Sequence, residues 1–188
     1  MLDMMLANGP DTFSCGEVGF MFKPYREHHL AARSADDPRE SILWAKLFAT
    51  GPERLYLEIF ERFPKVHTII DSTKDPIWIH DQSRHLKHQG IEVRNAVIWK
   101  TPEEFFASRD KRGRKLGWKR AWVNYHRLYF RLVPDWISVR YSELVKRPES
   151  LRSICEQLGV EYFPGKEEYW NGEFQTIFGN ASAKIHLH

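Results

Sequence analysis

Apolar residues along this chain follow two rhythms. Between residues 118 and 132, Trp118, Ala121, Trp122, Tyr125, Leu128, Tyr129 and Leu132 fall at i, i+3, i+4, i+7, i+10, i+11 and i+14, which is one face of an α-helix. Residues 148–158 carry Leu151, Ile154, Cys155 and Leu158 on one stripe, with Gly159 placed to end it. Two more helices are predicted over 39–49 and 52–63, split by Gly51-Pro52, with Ile42, Leu43, Leu47, Leu55 and Ile59 facing inward. The opening MLDMMLANGPD reads as the last two turns of a helix stopped by Asn8-Gly9-Pro10. Against these stand three short runs rich in β-branched residues and bounded by breakers, residues 66–71, 91–99 and 136–140, which read as strands.

Strands alternating with helices predict βαβ units and a parallel sheet with helices on its faces. No repeat, low-complexity segment or linker divides the chain, so a single α/β domain over residues 1–188 is expected. A 42% hydrophobic and 14% aromatic composition fits a globular fold. The net charge of +3 suits a small anionic ligand and is too weak to imply nucleic acid. Two cysteines imply no disulfide framework. No apolar run approaches the ~20 residues of a membrane span, and the opening residues lack the features of a signal peptide. A cytoplasmic setting is the expectation.

In parallel α/β sheets, ligands bind beyond the carboxyl ends of strands. The residues to weigh are therefore Ser72-Thr73-Lys74, Lys100-Thr101 and Arg140-Tyr141. Lys74 stands between Asp71 and Asp75, so it is either one member of a surface ion pair or a cation aimed at an anion. Lys100 ends a strand just before a helix start. Thr101 is a good N-cap, Pro102 suits the first helical position and Glu104 completes a Thr-x-x-Glu capping box. A lysine beside a helix amino end is a plausible phosphate seat, although Glu103 and Glu104 compete with an anion there. Glu17 follows Cys15-Gly16 and precedes Val18, Gly19 and Phe20, a sparse apolar setting for a carboxylate.

Four separated segments resemble the PAPS-dependent sulfotransferases, which use 3′-phosphoadenosine 5′-phosphosulfate (PAPS) as donor. ISVRYSELVKRPESLRSICEQLGVEY at 137–162 is similar to that family's RYEDLV…RICEFLGL block. IIDSTKDP at 69–76 resembles its strand end, FSCGEV at 13–18 its CGE element, and Phe178-Gly179-Asn180 its C-terminal GN element. Lys100 and Ser108 have the spacing of the family's 3′-phosphate-binding Arg and Ser, with Pro102 between them. The resemblance implies a P-loop-NTPase-like, three-layer α/β fold with no metal. It implies sulfuryl transfer from PAPS to a hydroxyl or amine acceptor of a carbohydrate, peptide or small metabolite. It assigns Glu17 as the base and Lys74 as the stabiliser of charge on the bridging oxygen. Ser72, Lys100, Ser108, Tyr141, Asn180 and Lys184 become nucleotide contacts, with Lys184 one residue out of register.

The chain departs from that family at its front. The strand and Gly-rich 5′-phosphosulfate loop that should precede MLDMMLANGPD are missing, so two expectations stand side by side. Either the sequence is an incomplete form of a longer protein, or it is a short member that binds a nucleotide or partner without turnover. Lys100 in place of Arg offers a point charge where the family has a bidentate fork. The histidines, Glu27-His28-His29 and His186-Leu187-His188, match no zinc spacing; His28 or His29 is the reserve candidate for the base.

Overall fold

Thr12–Gly16 form β1, a strand that the hydrophobic pattern did not mark. It runs parallel to β2, Thr68–Asp71, with Thr12 opposite Thr68, Phe13 opposite Ile69 and Ser14 opposite Ile70. The register then slips at Cys15, and Gly16 faces Asp71. This bulge needs Gly16 at φ 58, a left-handed conformation that costs a residue without a Cβ little. β2 starts two residues later than predicted, and Ile69 and Ile70 are only partly buried.

The computed structural model describes residues 1–22, 38–111, 113, 115–147 and 149–171, with the side chains of 38–41 left aside. The chain forms two compact units, one from Met1–Asp75 with residues 163–171 and one from Pro76–Tyr162.

In the first unit, α1 (Leu2–Ala7) is buried at Leu2, Met4, Met5, Leu6 and Ala7 and ends at Asn8 as predicted. Its end is clasped twice: the buried Lys166 ammonium donates to the Asn8 carbonyl at 2.8 Å, and Asn8 Nδ2 donates to the Lys166 carbonyl at 2.9 Å. A short α2 (Gly19–Phe22), then α3 (Pro38–Ala49) and α4 (Leu55–Arg62), lie in sequence between β1 and β2. Leu47, Leu55 and Ile59 are fully buried as expected, each contributing about 1.5–3 kcal/mol of hydrophobic stabilisation. Ile42, expected inward, is exposed. Trp44 takes that place, because the inward stripe runs Trp44–Leu47–Phe48, which packs Trp44 at a tilt against Phe13 (5.8 Å) and stacks it on Phe48 (5.5 Å).

The second unit opens with α5 (Pro76–His88), a helix without a clear apolar stripe in the sequence. It stops in a Schellman motif: the Gly90 N–H donates to the Lys87 carbonyl and the Ile91 N–H to the Leu86 carbonyl, with Gly90 at φ 75. Ile91 therefore belongs to the helix stop, and β3 is only Asn95–Trp99, not 91–99. α6 (Pro102–Asp110) and α7 (Trp118–Leu132) follow, then β4 (Trp136–Arg140), α8 (Tyr141–Lys146) and α9 (Ser150–Leu158). β4 pairs parallel with β3 in unbroken register from Asn95↔Trp136 to Trp99↔Arg140. Val97, Tyr129 and Val133 form the centre of its core, with Ile79, Tyr125 and Leu132 packed around them.

The α/β class is thus present in both units as a parallel strand pair joined through helices. No helix among the described residues is long and apolar enough to cross a membrane.

Candidate functional site

The residue that ends β2 makes its own turn. Asp71 Oδ1 accepts from the Thr73 N–H at 2.7 Å, an Asx turn, and Asp71 Oδ2 accepts from the Tyr56 hydroxyl at 2.6 Å. The next residues are tied to the loop after β1. The Ser72 N–H donates to the Gly16 carbonyl at 2.8 Å. Thr73 is buried, and its Oγ1 accepts from the Gly19 N–H at 2.9 Å. Glu17 lies between these two anchors, and Lys74 Nζ meets it, donating to Glu17 Oε1.

The side chain of Lys74 is 63% exposed and that of Glu17 23%. An ion pair this open adds only about 0.2–1 kcal/mol to stability, so it comes apart at little cost. What it provides is placement: a carboxylate able to take a proton and an ammonium able to meet negative charge, side by side at parallel strand ends. Of the sequence-predicted residues in this unit, Glu17 and Lys74 are brought together. Ser72 adjoins them through its backbone bond to Gly16. Thr73 serves as the buried post on which the Glu17 loop hangs. Cys15 is fully buried; burial first, and the Asp71 charge second, push its thiol well above the ordinary range, which makes it a poor nucleophile.

In the second unit the β3–β4 register fixes the site. Trp99 faces Arg140, so Lys100 and Tyr141 are the next residues beyond each strand, and Lys100 Nζ lies 3.9 Å from the Tyr141 ring centroid. The tip is held from outside by Trp122, whose indole N–H donates to the Lys100 carbonyl at 3.1 Å. α6 starts beside it with the predicted capping box complete: the Thr101 N–H donates to Glu104 Oε2 at 2.9 Å and the Glu104 N–H to Thr101 Oγ1 at 3.2 Å. Ser108 is on the same helix, one turn beyond Glu104 on the same face.

Two residues weighed from the sequence but given no nucleotide contact, Arg140 and Glu104, complete this edge. Arg140 places its guanidinium 3.9 Å from Glu104, 3.6 Å from Glu143 and over the Trp99 ring, and its buried Nε has no hydrogen-bond partner among the described residues. Glu104 is held below the ordinary carboxylate range, first by the Thr101 backbone N–H, then by the Ser142 hydroxyl, and further by the charges of Arg140 and Lys100. Both were visible as residue types: Arg140 as the last residue of a strand, Glu104 as the residue that closes a capping box. Their meeting is a product of register. The edge is a cationic seat that already holds two carboxylates, Glu104 and Glu143, and can hold an oxyanion once these are displaced or outweighed.

Asn180, Lys184, His28 and His29 lie outside the described residues. No group of three His, Cys, Asp or Glu suited to hold a metal occurs among the described residues. Comparisons with known protein families, with curated proteins and with solved structures return no match.

Proposed function

We propose that this chain is sulfotransferase-like: it binds PAPS or its desulfated product and takes part in moving a sulfuryl group to a hydroxyl or amine acceptor. The observation that carries the reading is Lys100 against Tyr141 at adjacent register positions, beside the capped start of α6 and Arg140, whose Nε has no hydrogen-bond partner among the described residues. The 3′-phosphate is assigned to Lys100, with Ser108 as a hydroxyl donor and Tyr141 as the nucleotide's neighbour. With the reading comes its finer fold, a P-loop-like three-layer sheet, and the contacts assigned to Ser72, Asn180 and Lys184.

The chemistry is assigned to Glu17 and Lys74. As the acceptor oxygen or nitrogen attacks sulfur, the bond between sulfur and the phosphate oxygen breaks and its electron pair stays on that oxygen. The acceptor's proton passes to Glu17. A protonated Glu17 no longer holds the ammonium, and Lys74 is released to meet the charge on the departing phosphate oxygen. The close pairing in the resting protein thus becomes a reciprocal switch.

A second reading is a nucleotide-binding or interaction module without turnover. It is favoured by Glu104, whose carboxylate already compensates Lys100 and Arg140. Transfer of labelled sulfate from PAPS to a panel of phenols, amines and sugars separates the two. Transfer that Glu17→Gln abolishes, with binding of adenosine 3′,5′-bisphosphate retained, supports the enzyme. Binding without transfer to any acceptor supports the module, and absence of both removes the proposal.

A further inference from the structure

The second unit has a cavity at the opposite end of β3 from Lys100. It is a groove of about 540 Å³ between the later half of α5, Asn95 at the start of β3 and residues 130–134 at the end of α7. Five residues of strand, about 16 Å, separate Asn95 from the Lys100 edge. The volume is within the range of small-molecule sites.

Its walls divide by chemistry. One side is cationic: Arg84 and Arg131 are exposed, line the groove and have no carboxylate partner among the described residues. Lys87 has only a loose partner, Asp135 at 3.9 Å, and both are open to solvent. His80 and His88 add two imidazoles to the lining. The other side is apolar, formed by Phe130, Leu132, Val133 and Pro134.

Cations near helix carboxyl ends are ordinary complements to the helix dipole, and that explains Lys87, His88 and Arg131. It does not explain Asn95. This side chain is 9% exposed, lines the groove, and its Nδ2 is buried with no hydrogen-bond partner among the described residues, while Oδ1 receives only a long bond from Ser83 at 3.4 Å. An unpaired buried donor is costly, about 1–3 kcal/mol, and an acceptor entering the groove would relieve it. Asp135, next to the lining, adds a second irregularity: at φ 55 it is in the left-handed region without being glycine, a strain of the kind that collects around binding sites.

We infer that this groove binds a small organic oxyanion, a phosphate, sulfate or carboxylate carried on an apolar, ring-sized body. The charged end meets Arg84 and Arg131 and accepts a hydrogen bond from Asn95 Nδ2, while the body lies on Phe130 and Val133. The site is separate from the proposed nucleotide seat and does not depend on that reading.

The test is calorimetric titration of the full chain with phenyl phosphate, phenylacetate and inorganic phosphate. The two ring-bearing anions are expected to bind saturably, with inorganic phosphate at least about 10-fold weaker for lack of the apolar contact. The double variant Arg84→Glu/Arg131→Glu, at exposed positions that leave the core intact, is expected to lose binding of both. Phe130→Ala should weaken the ring-bearing anions and leave inorganic phosphate unchanged. The inference is overturned by no saturable binding up to about 20 mM, by equal binding of inorganic phosphate, or by undiminished binding in the double variant.

Discussion

Thr73→Val probes the placement of Glu17 through a single buried bond. Valine matches the threonine shape and leaves no cavity, so the perturbation is the loss of Oγ1 as acceptor for the Gly19 N–H, a 2.9 Å bond between two buried residues. With no oxygen in its place, the stranded N–H carries its desolvation cost, about 1–3 kcal/mol. For a chain of this size each kcal/mol lowers Tm by about 2–4 °C, so a fall of roughly 2–12 °C is expected. Urea unfolding followed by circular dichroism, with scanning calorimetry beside it, measures both quantities. Thr73→Ser keeps the hydroxyl and should recover most of the loss. Ser72→Ala should stay within about 0.5 kcal/mol of the unaltered chain, because Ser72 reaches Gly16 through its backbone N–H. A Thr73→Val variant as stable as the parent would refute the reasoning that Thr73 anchors the Glu17 loop.

Three further outcomes follow from the second unit. Tyr129→Phe removes a buried hydroxyl that has no partner among the described residues and whose pKa burial raises; urea midpoints should show stability unchanged or raised by up to about 1 kcal/mol, and a loss would mean the hydroxyl is bonded. Trp122→Phe deletes the indole bond to the Lys100 carbonyl, and should cost about 1 kcal/mol together with a measurable weakening of adenosine 3′,5′-bisphosphate binding by calorimetry. Glu104→Gln keeps a residue able to complete the capping box but removes the carboxylate from the cationic edge. Because the folded-state pKa of Glu104 is depressed, its contribution is present above the unfolded value and lost as pH falls through the folded one. The variant's urea midpoint should therefore drop less than the parent's on going from about pH 5 to about pH 3, and its affinity for the bisphosphate at neutral pH should rise.

The helix over Trp118–Leu132 was legible because its seven apolar positions repeat a single period over four turns. The start of α6 was legible too, because a Thr-Pro-x-Glu signature specifies its own hydrogen bonds. Elements held by tertiary contact were not. α5 buries only Pro76, Trp78 and Gln82, too few to trace a stripe, and β1 is five residues containing Ser and Gly whose burial comes from neighbouring helices and strands. Ile42 was placed inside on hydrophobicity alone, whereas aromatic packing on Phe13 turned Trp44 inward. At the candidate sites, residue types were visible but partners were not. Lys74 was set between Asp71 and Asp75, and its contact with Glu17, 57 positions away, depends on a bulge and a buried threonine. Arg140 beside Glu104 depends on the parallel register of β3 and β4.

Calorimetric titration with adenosine 3′,5′-bisphosphate, on the unaltered chain and on Lys100→Ala, bears most directly on the nucleotide seat. A charged hydrogen bond from lysine to phosphate is worth about 1.5–3 kcal/mol, so saturable binding that weakens about 10- to 150-fold in the variant is the expected result. Absence of saturable binding, or equal affinity in Lys100→Ala, would contradict it.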